Sequence, residues 1–411
     1  MKNRTIIKYF TVFGFALTGL FMSCDLDSDF MPSGGGTTAT CTDGIENGDE
    51  TGIDCGGSCS PCSILVSCTD VDCGGSCFDC IKTFQNTFQN FGGCRAIIES
   101  EDGFVMLGVS SGNVGLLFLD LLGEEISVKE FQNLGTQSYT ISKTIDNDGF
   151  VFVAVDPILN VSNIIRTNKF GTQNGTPFVL SGRIIIQKIL LGNNLNYFLF
   201  GYDATNQNQK VYYEFDNNLN LLDSRVFGNG SFFDAVNFSG DNFAIIGTGE
   251  VTIFNNSTFS SSSIAYPTTY NLRSILIDEI NNEFIISGFD AVPNSDFQRF
   301  ILKTDFSGNQ IGNILISGNG TYDNGVYKSD GNIFVAGSEE QSNGGTSVAL
   351  ISLSKEGVQL QNEILYENLA TPRGMIRSED GGFVITGFVP STPTSIGSSF
   401  ILKVNKEGEI N

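Results

Sequence analysis

A short apolar run recurs along residues 82–411, and each copy directly follows a polar or glycine-containing turn. Phe, Val, Ile and Leu dominate the run, which usually ends in glycine, and its copies recur about every 46 residues. Seven copies of one unit at such a period predict the blades of a β-propeller. The copies are Asp102–Gly108, Asp148–Ala154, Asn196–Gly201, Asp241–Gly247, Asn282–Gly288, Gly331–Gly337 and Gly381–Gly387.

Each unit predicts several strands. Asp-Gly or a similar pair is typical of a tight hairpin turn, and the apolar run is typical of a strand buried between neighbouring blades. The closing glycine is expected to let the chain leave the sheet. A further strand follows, as in Phe300–Gly308, and its Lys-x-Asp turn leads to an outer strand such as Ile126–Asn133. The fourth unit departs from this order, since Val251–Phe254 precedes the Ser-rich stretch Ser257–Ser263 without a Lys-x-Asp turn.

The two ends of this region are complementary. The seventh unit lacks an outer strand, whereas Lys82–Gly93 resembles Lys129–Gly135 and precedes a first strand by a similar distance. We therefore expect this N-terminal strand to complete the seventh blade, which removes exposed sheet edges. Cys94, in the first inner strand, is expected to be a small buried residue. The predicted fold is all-β: a seven-bladed β-propeller closed by an N-terminal strand and preceded by a small disulfide-rich module.

The order of turns and strands resembles the repeated x-DGGF-x-x-x-G and K-x-D-x-x-G units of propeller-like surface proteins in the Bacteroidota.

The start of the chain agrees with export. Lys2, Arg4 and Lys8 precede the apolar run Tyr9–Met22, which is too short to span a bilayer and is typical of a signal peptide. The following Ser23-Cys24 resembles the cleavage site of bacterial lipoproteins, although Phe21 and Met22 depart from the usual residues. Residues 1–23 are therefore predicted to be removed and Cys24 to be acylated, which would anchor the protein to a membrane.

Residues 24–40 are predicted to form a flexible tether, because Met31–Thr40 is rich in Gly, Ser, Thr and Pro. The acidic stretch Asp25–Asp29 resembles the surface-export signal of Bacteroidota lipoproteins. This resemblance implies an outer-membrane lipoprotein exposed at the cell surface. In other bacteria, Asp25 could instead mean retention at the inner membrane.

Eight of the ten cysteines fall within residues 41–80 as two related units, each ending in C-x3-C-x2-C. The first unit resembles a cysteine-rich repeat of the form C-x-DGIxNGxETxxDCGGxCxxC, which occurs in secreted and surface bacterial proteins. So small a module cannot bury enough apolar surface alone, and an exported location favours disulfides, whose pairing the sequence leaves open. The cysteines are Cys41, Cys55, Cys59 and Cys62, then Cys68, Cys73, Cys77 and Cys80.

Metal binding is the alternative for this module. Each unit supplies the four thiolates that structural zinc requires. The C-x3-C-x2-C spacing also matches the iron–sulfur ligands of radical SAM enzymes, but an oxidising location argues against such a cluster. The loop of the first unit places Asp43, Asn47, Asp49 and Asp54 among glycines, so its oxygens could bind Ca2+ or form a solvated turn.

The composition limits the classes of partner and activity that fit this chain. The chain carries 22 Lys and Arg against 45 Asp and Glu, so phosphate backbones are repelled and nucleic acid is not an expected partner. It has no His, which excludes Ser-His-Asp hydrolysis and His-ligated metal centres, and no Trp, which weakens a sugar-stacking platform. We expect a recognition or scaffold protein for a protein or glycan ligand, not an enzyme. By resemblance to other propellers, its ligand face is predicted at the connections Phe289–Asp296, Ser338–Ser347 and Phe388–Ser399, which could instead be simple solvent loops. The alternative is a carbohydrate-active enzyme with a carboxylate pair at the channel mouth.

Overall fold

The computed structural model describes residues 83–192, 195–293, 297–316, 320–321, 325–340, 346–366, 370–389 and 397–410. The chain divides into two compact units, and all of the described residues belong to the second, Cys73–Asn411. They form β-strands in seven sheets, and every strand pair is antiparallel. Among these residues, no helix is long and apolar enough to cross a membrane.

The sheets are the seven blades that the repeat predicts. The first strand of the described chain is β1 (Phe84–Phe88). Blades one to three contain, in order of pairing, β2 (Phe91–Ser100), β3 (Gly103–Ser110), β4 (Asn113–Leu119) and β5 (Glu125–Phe131); β6 (Gln137–Lys143), β7 (Gly149–Asp156), β8 (Val161–Asn168) and β9 (Phe178–Ser181); and β10 (Ile184–Leu191), β11 (Tyr197–Asp203), β12 (Gln209–Phe215) and β13 (Leu221–Asn229).

Blades four to seven repeat this order, except that two short strands of blade six both pair with β24. The strands are β14 (Asp234–Ser239), β15 (Asn242–Gly247), β16 (Glu250–Asn255) and β17 (Ser260–Ala265); β18 (Tyr270–Asp278), β19 (Glu283–Asp290), β20 (Gln298–Asp305) and β21 (Gln310–Ile316); β22 (Gly320–Thr321), β23 (Val326–Ser329), β24 (Asn332–Glu340), β25 (Thr346–Leu353) and β26 (Gln359–Tyr366); and β27 (Thr371–Arg377), β28 (Phe383–Val389) and β29 (Ser398–Val404).

The N-terminal strand closes the ring, as the sequence predicts. β1 pairs with β29 and is the outer strand of blade seven. Cys94, in β2 of blade one, joins blade one to blade seven, because its N–H donates to Ser399 Oγ at 3.2 Å and its thiol lies 3.2 Å from Thr386 Oγ1. Cys94 is a free, fully buried cysteine, and its burial raises the pKa of its thiol to about 12. The prediction of a small buried residue is therefore confirmed.

The seven apolar runs form the second strands of the blades: β3, β7, β11, β15, β19, β24 and β28. Their side chains are almost entirely buried and pack between neighbouring blades. The rings of Phe131 in blade one and Phe152 in blade two meet at 4.9 Å, and those of Phe198 in blade three and Phe243 in blade four at 5.0 Å. Phenylalanine therefore supplies much of the apolar area that holds the blades together.

The Lys-x-Asp turns have a structural role. In the turn after β20, Asp305 Oδ1 accepts hydrogen bonds from the N–H groups of Ser307 and Asn309, at 2.9 and 2.8 Å. The side chain of Asn309 and these N–H groups lower the pKa of Asp305 below its ordinary value. Blade four replaces this turn, as its sequence predicts, with one in which Asn255 Oδ1 accepts the N–H of Thr258. These carboxyl and amide groups are therefore bound to their own turns.

Candidate functional site

The innermost strands of the seven blades surround a central channel with a cavity of about 520 Å³. These strands are β2, β6, β10, β14, β18, β23 and β27. Their side chains alternate between the two neighbouring blades, so that Ile97 packs in the cluster shared by blades seven and one while Ile98 packs against the cluster shared by blades one and two. The cavity lies within the range of volumes that small-ligand sites usually occupy.

Most innermost strands contain a β-bulge near one end of the channel. In β10, β18 and β27 the pairing with the second strand skips one residue, which is Gln187, Arg273 and Arg373 respectively. A longer skip in β2 and in β6 includes Arg95 and Tyr139. A bulge changes the direction of a side chain, and these five residues all line the channel. We call this end of the channel the mouth.

The closing glycine of each apolar run makes room for the bulge. A Cβ on Gly201 would lie 2.0 Å from the backbone oxygen of Ile185, and one on Gly288 would lie 2.4 Å from that of Asn271. β19 continues beyond Gly288 to Asp290. The expectation that this glycine lets the chain leave the sheet is therefore wrong for Gly201 and Gly288, which stay in the strand because the bulged neighbour approaches too closely for a side chain, whereas β15 of blade four ends at Gly247.

Three of the arginines at the mouth lie over aromatic rings. Arg273 Cζ is 4.0 Å from the ring centre of Phe233 and 5.2 Å from that of Phe289. Arg373 Cζ lies 5.3 Å from the ring of Phe388. Arg95 Cζ lies 4.6 Å from that of Tyr139. Such contacts hold a guanidinium by its face.

A fourth arginine lies beside the first blades. Arg183 donates a hydrogen bond to Gln137 Oε1 at 3.3 Å, and the Tyr139 hydroxyl donates to the same oxygen at 3.3 Å. Burial raises the pKa of the Tyr202 hydroxyl, and the nearby charges of Arg183 and Arg95 partly oppose that rise. Blades one to three therefore add a cluster of cationic, phenolic and amide groups to the mouth.

One ion pair lies deeper in the channel. Lys188 Nζ is 2.8 Å from Asp234 Oδ1, and their side chains are 34% and 13% exposed. Asp234 also accepts hydrogen bonds from Ser274 Oγ at 3.3 Å and from the Ile275 N–H at 3.2 Å. Burial opposes the charge of Lys188, but the Asp234 carboxylate raises the pKa of Lys188 above its ordinary value. Lys188 therefore carries its positive charge at neutral pH.

The described residues that line the channel include more basic than acidic side chains, unlike the chain as a whole. Acidic residues outnumber Lys and Arg about twofold in the sequence. Among the described residues that line the channel, Arg95, Lys188, Arg273 and Arg373 face a single carboxylate, Asp234, which pairs with Lys188. A cationic concave site with low-dielectric walls attracts anions and raises their local concentration.

The residues that the sequence singles out for chemistry lie outside the described ranges. The unplaced residues are Cys24, the cysteines Cys41, Cys55, Cys59, Cys62, Cys68, Cys73, Cys77 and Cys80, and the possible calcium ligands Asp43, Asn47, Asp49 and Asp54. Their lipidation, disulfides and calcium binding stay predictions. Within residues 83–410, the described positions contain no group of three or more His, Cys, Asp or Glu that could hold a metal ion.

The predicted ligand-face connections are described in part. The first residues of these connections extend the second strands instead of forming loops: Phe289 lies in β19, Ser338–Glu340 in β24 and Phe388 in β28. Residues 294–296, 341–345 and 390–396 lie outside the described ranges. Phe289 and Phe388 contact the mouth arginines, so these connections leave from the same end of the channel. The described channel lining has one carboxylate, so it supplies no carboxylate pair for glycoside hydrolysis.

Sequence reasoning missed the mouth arginines. Each is a single residue within an irregular segment, so no local motif marks it. The repeat frame does not align them either, because Arg95 stands 13 residues before the closing glycine Gly108 and Arg373 stands 14 residues before Gly387.

Comparison with known proteins supports the fold alone. No model of a known protein family matches the sequence, and no curated protein sequence matches it. Among solved structures, the CNH domain of AfRom2 is similar with a TM-score of 0.51 and 11% identity, over 80% of this chain and 98% of that one. A Bacteroides fragilis protein provisionally named a 6-phosphogluconolactonase has a TM-score of 0.48 and 12% identity, over 65% of this chain and 82% of its own. The first likeness agrees with the seven-bladed β-propeller that the strands form.

Proposed function

We propose that this chain is a recognition module that binds a protein or glycan ligand at the mouth of its propeller channel. One observation carries the proposal: in an acidic chain, Arg95, Arg273 and Arg373 all reach one concave site, each over an aromatic ring. Arginine and aromatic side chains are the residue types that contribute most to binding surfaces.

The predicted anchor gives this module its location. With Cys24 acylated and residues 25–40 as a tether, the propeller would stand at the outer face of the outer membrane, joined to the membrane by lipid. The support is the sequence: the short apolar segment Tyr9–Met22, the Ser23-Cys24 site and the acidic stretch after it. Such a protein would meet its ligand outside the cell.

Capture of ligands by the displayed protein tests recognition. Cells that display the wild-type chain are compared with cells that display Arg273→Ala in a pull-down of glycans and proteins. The matched control is Arg225→Ala. Arg225 also lies over a ring, Phe259 at 4.3 Å, but on the outer strand β13. We expect the wild type and Arg225→Ala to capture the same ligand and Arg273→Ala to lose it. Equal capture by all three would contradict the proposed site.

Metabolic labelling tests the anchor separately. Radiolabelled palmitate should enter the wild-type protein and be absent from Cys24→Ala, because only the cysteine at the cleavage site is acylated. Cys94→Ala is the control cysteine variant, since the Cys94 thiol is buried within the propeller. Absence of label from the wild type, or its persistence in Cys24→Ala, would show that the lipoprotein prediction is wrong.

A further inference from the structure

We propose that a second pocket of the propeller binds a small amphiphilic anion, which carries one anionic group on an apolar body. The pocket lies between blades one and two and has a volume of about 540 Å³. Lys129, Lys143 and Lys169 line it, and we call it the lysine pocket. This inference goes beyond the proposed function, because the lysine pocket is separate from the channel mouth and does not depend on recognition there.

The lysine pocket lies at the opposite end of the blades from the mouth. Phe289 and Phe388, which contact the mouth arginines, stand near the ends of the second strands β19 and β28. The pocket is instead lined by Asp102, directly before the second strand β3, and by Asn147, in the turn before the second strand β7. The described lining residues of the two cavities do not overlap, so each can be tested without the other.

The lysines of this pocket differ from the other described lysines in their charge pairing. Lys129, Lys143 and Lys169 form no ion pair with any described residue. In a chain with about twice as many acidic as basic residues, three unpaired lysines around one cavity are the exception. An anionic ligand would supply the charge that they lack. The other described lysines all pair with a carboxylate: Lys188, Lys210, Lys303, Lys328, Lys355, Lys403 and Lys406.

A closed turn carries one of the three lysines. Asn168 Oδ1 accepts hydrogen bonds from the N–H groups of Phe170 and Thr172, both at 3.0 Å, and so holds the turn after β8. Within that turn, Lys169 Nζ lies 5.5 Å from the ring centre of Phe170. The turn therefore presents a cation and an apolar surface side by side.

The packing of blade two on blade one brings the other two lysines to the same cavity. A Cβ on Gly171 would lie 2.8 Å from Lys129 Cγ and 2.8 Å from the ring of Phe118, so the turn of blade two lies directly against blade one. Lys143 is the last residue of β6 and pairs with Phe150 of β7. The three lysines thus come from three separate elements, which meet in the folded propeller.

The lysine pocket also has an apolar wall. The rings of Phe118 and Phe150 lie 5.9 Å apart in its lining. Ile126 and Phe170 line it as well and are 59% and 64% exposed. Large apolar side chains that remain exposed beside a cavity offer surface that a ligand can cover, and the volume lies in the usual range of small-ligand sites. The body of the ligand is therefore expected to be apolar.

Carboxylates in the lining limit the ligand to one anionic group. Glu101 and Asp102 come from the turn before β3, and Glu379 comes from blade seven. The Glu379 N–H donates to Glu99 Oε2 at 2.8 Å, which fixes this turn of blade seven beside blade one. Exposed carboxylates are common in so acidic a chain and indicate no ligand by themselves, but they would repel a second anionic group. Aromatic carboxylates and short fatty acids both meet these requirements.

Titration calorimetry on the full-length protein in a non-ionic detergent tests this inference. Naphthoate and octanoate carry one carboxylate on an aromatic and an aliphatic body. Each is compared with its neutral amide and with a dicarboxylate of the same body, and titration into detergent alone is the blank. We expect at least one of the two monoanions to bind, and its amide and dicarboxylate to bind about tenfold more weakly or less. The monoanion that binds more tightly identifies the body.

Variants of the pocket locate the bound probe. Lys143→Met and Lys169→Met remove a charge and keep an apolar stem, and each should weaken monoanion binding about threefold to tenfold. Phe170→Ala should weaken it by a similar factor, because the apolar body loses a ring. The matched control is Lys355→Met, which removes the same charge at a 76% exposed side chain of blade six and should bind as the wild type does.

Arg273→Ala separates this inference from the proposed function. We expect it to leave monoanion binding unchanged. If Arg273→Ala abolishes that binding while the lysine variants keep it, the probe binds at the mouth and the lysine pocket is overturned, although recognition at the mouth is supported. Failure of both monoanions to bind, equal binding of a monoanion and its amide, tighter binding of a dicarboxylate, or equal losses in Lys355→Met and the pocket variants would also overturn it.

Discussion

The second and the innermost strands of each blade lie side by side, yet their sequences obey different rules. The second strands, such as β7 and β19, are continuous apolar runs that are buried nearly throughout. Most of the innermost strands bulge, and in β10, β18 and β27 the bulged positions carry Gln or Arg. Burial on both faces restricts the second strand to apolar residues, whereas a bulge facing the channel accepts almost any side chain. The fold therefore depends on the regular strand, and the proposed recognition depends on its irregular neighbour.

The largest effect is expected where the two strands meet, at the closing glycine. In Gly201→Ala the new Cβ would collide with the Ile185 backbone oxygen, which lies in the neighbouring strand and cannot move cheaply. We expect a loss of about 1–3 kcal/mol in the free energy of unfolding, measured by urea denaturation.

Gly312→Ala is the matched control for that glycine. Gly312 lies in the outer strand β21, and its added Cβ would meet only the Lys303 side chain at an ordinary 3.6 Å. Its free energy of unfolding should stay within about 0.5 kcal/mol of the wild type. Similar losses in the two variants would mean that the close approach of second and innermost strands is not the reason for the glycine.

A smaller, pH-dependent effect is expected at Cys94. This residue lies in the innermost strand β2, but its side chain is buried like those of the second strands. Its pKa is raised from 9.0 to about 12, so the folded state favours the neutral thiol. That stabilisation is complete below pH 9 and is lost as the pH rises from 9 towards 12, because the unfolded thiol ionises first.

Comparison with Cys94→Ala isolates this effect from other groups that titrate in the same range. Above pH 9, the free energy of unfolding of the wild type should fall by up to about 1.4 kcal/mol per pH unit more than that of Cys94→Ala. Parallel pH profiles for the two proteins would show that Cys94 does not share the dry environment of the second strands.

The sequence predicts these two kinds of strand unequally. The second strands recur with turn, apolar run and glycine, so Phe104, Phe150 and Phe383 identify the blades, and the outer strand at Phe84–Phe88 follows from its likeness to a later one. The mouth has no such signal. Arg95, Arg273 and Arg373 are far apart in sequence, and only the closure of the ring and the bulges bring them to one opening.

One combined variant tests the division between fold and recognition most directly. This variant removes the charges of the three mouth arginines and keeps polar side chains of similar length. Its substitutions are Arg95→Gln, Arg273→Gln and Arg373→Gln. Tm and ligand capture are measured on the same preparation of this triple variant. The account predicts a Tm within about 2–4 °C of the wild type and loss of ligand capture. Unchanged capture, or a fall in Tm of more than about 10 °C, would contradict it.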